Sequence, residues 1–144
     1  MLRSTRHRTA QQAAMLLTFE VSLSEAAKER LRDKETVIVD ATYFGDPSQK
    51  AIATPGFEYP SAIIANRRVE LRGTGTASFP QITFDDEQLS FLANPNQVMV
   101  NINVFSGRKS SENNLLYCGF FEDSLAEAAR APIKLHCKLI GESK

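Results

Sequence analysis

An alternating apolar segment at residues 98–105 constrains the fold more than any other feature of this chain. Branched aliphatic side chains occupy every second position: Val98, Val100, Ile102 and Val104. The positions between them carry mixed side chains: Met99, Asn101, Asn103 and Phe105. Because successive side chains of a β-strand point to opposite faces, the pattern predicts a strand with one buried and one mixed face. Such a strand belongs to a sheet that packs against a second apolar layer.

Further strands are predicted by alternating or β-branched segments along the chain. These segments are 17–23, 36–44, 62–65, 68–72, 80–84, 89–92, 115–121 and 133–140. Arg68–Arg72 alternates charged with apolar residues, which favours an edge strand, whereas Leu115–Phe121 is apolar on both faces, which favours a central one. Short strands between Gly, Pro and Asn turns predict an all-β fold, a single antiparallel β-sandwich of seven or eight strands. A partly open barrel is the alternative.

Two short helices are predicted between the strands. Ser24 is a good N-cap residue and the acidic residue after it suits the positive end of a helix dipole, so a helix is expected over 25–32. Ser124 and Glu127 have the spacing of a capping box, which predicts a second helix that ends before Pro132.

Length and charge balance limit the classes of function. The 144 residues fit one domain, which we place at residues 17–142 behind a flexible basic lead-in at residues 1–16. Seventeen basic and seventeen acidic residues cancel, so nothing favours a nucleic-acid partner, and no apolar run approaches the roughly 20 residues of a membrane span. Ala13–Leu17 is shorter than the roughly 7–15 apolar residues of a secretory signal, so a chain with this authentic start is expected in the cytosol.

The chain has two cysteines, Cys118 and Cys137, each in a predicted strand. If those strands are neighbours in a sheet, the two residues can form a disulfide, which would stabilise the fold by roughly 3 kcal/mol. The alternative is a pair of buried thiols, which are common core residues. The cysteine spacing, with His136 on the opposite face from Cys137, does not match a zinc site, so no metal and no cofactor is predicted.

Residues suited to catalysis are few. His7 falls in the lead-in, and His136 stands between two lysines on a predicted solvent face. Neither is expected to act as a general base, and no catalytic residue is predicted. The acidic turn Asp85–Glu87 offers the oxygen ligands that calcium prefers, although a run of acids is more often a solvated loop.

The strongest candidate for a binding site is a polar surface formed by the loop at residues 106–114 and the strand before it. Its residues are Asn101, Asn103, Arg108, Asn113 and Asn114. Asparagine on a strand face is unfavourable unless its amide is hydrogen-bonded, covered or wet, so these residues suit a sugar, a carboxylate or a partner strand. The alternative is an asparagine ladder on a solvent face next to an ordinary hairpin loop.

Four segments of the chain resemble a group of small, uncharacterised bacterial proteins that are often exported: Val39–Pro47, Val100–Arg108, Asn114–Phe121 and Leu135–Ile140. The strand that ends in the turn Gly45–Pro47 is also similar to strands of immunoglobulin-like and transthyretin-like sandwiches. The resemblance implies a sandwich of one of these types, in the periplasm or secreted. It carries no known activity, so it transfers no catalytic residue. The incomplete signal peptide leaves the localisation open between periplasm and cytosol.

The function expected from these observations is a non-enzymatic binding or interaction module of the bacterial cell envelope. Its partner would be an unknown protein or a polar small molecule, and an oligomer is compatible with the sequence. One alternative is a small hydrolase that acts on a polar ligand through carboxylates. Another is a structural subunit that pairs with its partner through an edge strand.

Substitution Ile102→Asp tests the predicted strand. A buried, unpaired carboxylate costs several kcal/mol, which is comparable to the roughly 5–15 kcal/mol that stabilises a whole domain. We therefore expect the variant to be unfolded at ambient temperature in a thermal-unfolding measurement. An unchanged melting temperature would show that Ile102 does not face the core.

Overall fold

A computed structural model describes residues 16–79 and 81–142 of the chain. Its strands and helices follow in this order: β1 (Thr18–Leu23), α1 (Glu25–Leu31), β2 (Val37–Gly45), α2 (Gln49–Ala53), β3 (Ala62–Leu71), β4 (Gly75–Ser78), α3 (Asp86–Leu89), β5 (Met99–Ser106), β6 (Leu116–Tyr117), β7 (Phe120–Ser124), α4 (Leu125–Ala128) and β8 (Ile133–Leu139). The predicted lead-in, apart from its last residue, lies outside the described residues.

The strands form two four-stranded sheets, in the orders β4-β1-β8-β6 and β3-β2-β5-β7. The fold is therefore mostly β, as predicted, and β3 lies at the edge of its sheet as its alternating charges indicate. One pair departs from the antiparallel arrangement: β1 and β8 run parallel, with Val21 opposite Leu135. Parallel neighbours need a long connection, and here nearly the whole chain lies between the two strands.

The two sheets share one hydrophobic cluster. Phe19 and Leu135 contribute to it from the first sheet, and Val39 and Ile102 contribute from the second. Ile102 has no exposed surface and lies opposite Ala41 of β2. The alternation that predicted β5 is thus confirmed, since the branched aliphatic residues of β5 are buried and its asparagines face away from the core.

The segment Leu115–Phe121 differs from its prediction as a central strand. Leu116–Tyr117 pairs only with β8 at the edge of the first sheet, and Phe120–Ser124 pairs only with β5 at the edge of the second. Gly119 between them has φ +68°, a left-handed conformation that glycine adopts without steric cost. The apolar side chains of the segment are not all buried, since Tyr117 is 62 % exposed and Phe120 is 68 % exposed.

The strands predicted over 80–84 and 89–92 are also wrong. Residues 81–84 form no strand, and helix α3 occupies residues 86–89. A reciprocal capping box starts α3: the Asp85 carboxylate accepts from Gln88 N, and the Gln88 amide oxygen accepts from Asp85 N. The described part of the chain thus contains four short helices instead of the two predicted, among them the predicted ones after Ser24 and Ser124.

Cys118 and Cys137 lie at disulfide distance, with 2.02 Å between the Sγ atoms. The register of β6 against β8 pairs Tyr117 with Lys138. Cys118, which follows β6, therefore comes next to Cys137 of β8. Cys137 is fully buried and Cys118 is half-buried. The geometry matches the disulfide and not the pair of separate thiols.

Mass spectrometry of the air-oxidised protein checks this pairing. We expect a digest prepared without reductant to contain one linked peptide pair, Cys118 with Cys137. Reduction should lower the free energy of unfolding by roughly 3 kcal/mol, because the bond closes a loop in the unfolded chain. Alkylation of both cysteines in denaturant without prior reduction would contradict the bond.

Candidate functional site

The outer face of the second sheet carries the two predicted site residues that belong to a strand. The strand register places Asn101 between Thr42 of β2 and Glu122 of β7. It places Asn103 one step further along, between Asp40 and Phe120. Residues that face one another in this way on the same side of a sheet are in contact range. Two polar rows therefore cross the sheet.

The two asparagines are joined in a hydrogen-bonded chain. Asn103 Nδ2 donates to Asn101 Oδ1 over 3.0 Å, and Asn101 Nδ2 donates to Glu122 Oε1 over 3.1 Å. An amide side chain offers two donors and one acceptor oxygen. Among the described residues the oxygen of Asn103 has no partner, and its side chain is exposed. Asn103 can therefore accept a further hydrogen bond from a ligand or from water.

A paired carboxylate continues these rows into β3. Asp40 is only 8 % exposed. It accepts from Arg68 Nε at 2.7 Å and from Asn66 Nδ2 at 3.2 Å. A carboxylate removed from water needs such partners, because burial of an unpaired charge is costly. The Arg68 guanidinium also lies 5.4 Å from the ring centre of Phe105, a cation–π contact that fixes it further.

We call this surface the outer polar band. Its residues are Asp40, Thr42, Asn66, Arg68, Asn101, Asn103 and Glu122. Phe120, which is 68 % exposed, borders the band directly opposite Asn103. The band thus combines amide, carboxylate and guanidinium groups with an exposed aromatic ring.

The other predicted site residues lie in the loop after β5, where the side chains of Arg108 and Asn114 bind the loop itself. Arg108 Nη1 donates to the carbonyl oxygen of Glu112 at 2.7 Å. The Asn114 side-chain oxygen accepts from the backbone N–H groups of Ser106 and Leu116, so Asn114 ties the end of β5 to the start of β6. Asn113 is exposed, and its backbone N–H donates to a neighbouring serine. The structure brings Asn101 and Asn103 together and gives Arg108 and Asn114 partners within the loop region.

Glu35 anchors the loop at residues 106–114. The residue is 6 % exposed, and its carboxylate accepts from Lys109 N at 2.8 Å, from Ser110 N at 2.9 Å and from the Ser110 hydroxyl at 2.8 Å. Gly107 allows this close approach, because a Cβ atom there would overlap the Thr36 hydroxyl. Nothing in the sequence around Glu35 signals this role, since its partners lie 74 and 75 positions away.

The anchoring contacts change the acidity of Glu35. Burial alone raises its pKa, because it removes the charged form from water. Hydrogen bonds from Lys109, Ser110 and the backbone of Thr36 act in the opposite direction and prevail, lowering the pKa from 4.5 to about 2. Glu35 is therefore ionised at neutral pH and is committed to holding the loop.

His136 lies on the outer face of the first sheet, exposed as predicted. Its Nδ1 is 2.8 Å from the Ser22 hydroxyl oxygen. A nucleophilic serine needs a base, a group that orients the base and donors for the developing oxyanion, and a pair on an open strand face provides only the first. No group of three or more His, Cys, Asp or Glu in the described part of the chain could hold a metal ion.

Known protein families, curated proteins and solved structures give no match to the chain. The resemblance to small bacterial sandwich proteins stays a prediction. Among residues 16–79 and 81–142, no helix is long and apolar enough to cross a membrane.

The pKa of Glu35 predicts how stability depends on pH. Because the folded pKa is near 2 and the unfolded pKa is near 4.5, the contribution is complete above pH 4.5 and is lost as the pH falls toward 2. Its size is about 3 kcal/mol. We expect Glu35→Gln to be less stable at pH 6 and to lose less stability than the wild type between pH 6 and pH 2.5, measured by urea unfolding.

Glu29→Gln is the matched control, because Glu29 carries the same group on the exposed face of α1. It should retain the pH dependence of the wild type. Identical pH dependence in all three proteins would mean that Glu35 does not anchor the loop.

Proposed function

We propose that this protein is a non-enzymatic binding module that binds a hydroxyl-rich ligand, such as an oligosaccharide, on the outer polar band. The observation that carries the proposal is the exposed ring of Phe120 beside the hydrogen-bonded pair Asn101 and Asn103. A sugar presents hydroxyl groups around its ring and C–H groups on its faces, so it suits a surface with both kinds of contact. We further propose that the two sheets form a sandwich of the immunoglobulin-like or transthyretin-like type.

The internal contacts of the band support binding because they fix its polar groups in advance. Asp40 holds Arg68 and Asn66, and Glu122 holds Asn101. Groups that are already ordered lose less conformational entropy when a ligand binds. Most of the band nevertheless faces solvent, which keeps donors and acceptors available to a ligand.

Hydrolysis through carboxylates is the alternative, and the acidity of Glu35, Glu70 and Glu142 argues against any of these three as its general acid. Hydrogen bonds to Lys109 and Ser110 outweigh burial and lower the pKa of Glu35. A hydrogen bond from Thr36 lowers the pKa of Glu70, and one from the backbone of Leu139 lowers the pKa of Glu142. A general acid at neutral pH needs a raised pKa instead.

The charges of edge strand β3 bear on the kind of partner. The long edge strand β3 carries charged side chains at Arg67, Arg68 and Glu70. Charge on an edge strand discourages pairing with a strand of another molecule. We therefore favour a ligand-binding module over a structural subunit.

A disulfide-distance pair of cysteines supports an oxidising compartment such as the bacterial cell envelope.

Phe120→Ala tests the proposed ligand face. We expect the variant to bind at least about tenfold more weakly than the wild type to any oligosaccharide that an array identifies, because an aromatic contact contributes about 1 kcal/mol or more beyond its area. Its melting temperature should change little, since the side chain is mostly exposed. Binding is measured by isothermal titration calorimetry with the identified oligosaccharide.

Tyr117→Ala is the control, because Tyr117 is also aromatic and is 62 % exposed, but belongs to the first sheet. It should bind as the wild type does. Equal weakening in both variants, or an array without any bound glycan, would count against the outer polar band as a sugar-binding face.

A further inference from the structure

A cleft runs beside the end of helix α1, and its lining includes none of the residues of the outer polar band. It consists of two adjoining cavities of about 380 and 370 Å³. Asp33, Glu35 and Arg72 line both of them. Cavities of a few hundred Å³ are the size at which proteins hold small molecules, so the cleft has room for a ligand.

Three cationic side chains from three separate segments line the second cavity. Lys34 follows α1, Arg72 follows β3 and Lys109 lies in the loop after β5. Within the described residues the side chains of Lys34 and Arg72 have neither an ion pair nor a hydrogen bond. Lys109 Nζ lies 3.6 Å from a Glu70 carboxylate oxygen in an exposed pair, which contributes little in water. Lys34 and Arg72 are therefore free to bind a ligand, and Lys109 can exchange its exposed ion pair for one.

Carboxylates also lie close to these cations. Glu35 already accepts hydrogen bonds from Thr36, Lys109 and Ser110, so its oxygens are occupied. Asp33 is the second carboxylate of the second cavity. With Glu70, which pairs with Lys109, three carboxylates stand near the three cations. A ligand can therefore use the unpaired donors of Lys34 and Arg72, and not an excess of positive charge.

We propose that this cleft binds a small anionic molecule through the carboxylate or phosphate group of that molecule. Arg72 is the main binding residue, and Lys34 and Lys109 lie beside it. The guanidinium group has a planar set of donors that matches the oxygens of both anions in a two-pronged arrangement. The two ammonium groups add charge without demanding a fixed geometry. This site is independent of the sugar-binding function proposed for the outer polar band.

Titration of the isotopically labelled full chain with inorganic phosphate and, separately, with succinate tests the proposal. Sodium chloride keeps the ionic strength constant, so that general screening does not imitate binding. We expect saturable shifts of the backbone amide signals of Arg72 and Lys109 in nuclear magnetic resonance spectra. Saturation by phosphate alone would identify a phosphate ligand, and saturation by succinate alone would identify a carboxylate ligand.

Arg72→Gln should weaken binding of the active probe by about tenfold or more, since a hydrogen-bonded charge pair is lost. Arg130→Gln makes the same change at the end of α4, remote in sequence and outside the cleft lining, and should bind as the wild type does. Arg72 and Arg130 are both exposed, so both variants should keep the amide spectrum of the wild-type fold. Lys34→Gln gives a second test if Arg72→Gln does not fold.

Two results would overturn the proposal. One is a titration in which neither probe gives saturable shifts at the cleft. The other is an equal dissociation constant in the wild type and in the cleft variant that folds.

Discussion

The register of β2 against β5 is the constraint on which the rest of the structure depends. It sets Val39 opposite Val104 and Ala41 opposite Ile102, all within the core. In the same step it sets Asp40 opposite Asn103 on the outer face. Because side chains alternate along a strand, a slip by one residue would bury the polar set and expose the apolar one. The core and the outer polar band are therefore two consequences of a single pairing.

A second constraint acts where this pairing ends. Beyond Ser106 the chain leaves the sheet, and its backbone N–H groups need partners that a strand no longer provides. The Glu35 carboxylate accepts the backbone N–H groups of Lys109 and Ser110, and the Asn114 side-chain oxygen accepts that of Ser106. The loop is thus held by ordinary hydrogen-bond satisfaction of its backbone. This explains why Asn114, a polar residue in a polar loop, serves the fold, whereas Asn103 on a regular strand keeps an oxygen free.

A structural feature could be predicted from the sequence when the residues that determine it are close together along the chain. The alternation in β5 is local, so its buried and outward faces, including Asn101 and Asn103, follow from the sequence. The capping residues of α3 are also local, but Asp85 belongs equally to an acidic turn, and the helix was not predicted. The partners of Asp40 lie 26 and 28 positions away on another strand. Only the three-dimensional pairing shows that Asp40, Asn66 and Arg68 complete the band.

Strand β3 connects the two surfaces to which ligands are proposed to bind. Arg68 and Glu70 lie on its outer side, opposite Asp40 and Ile38 of β2, and Arg72 follows two positions later at the cleft. Glu70 accepts from Thr36 and pairs with Lys109, so it lies between the band and the cationic lining. An anion that attracts Lys109 would compete with Glu70 for it. Since the Glu70 pair is exposed and weak, this competition costs the fold little, and the cleft can be occupied without disturbing the ion pair between Arg68 and Asp40.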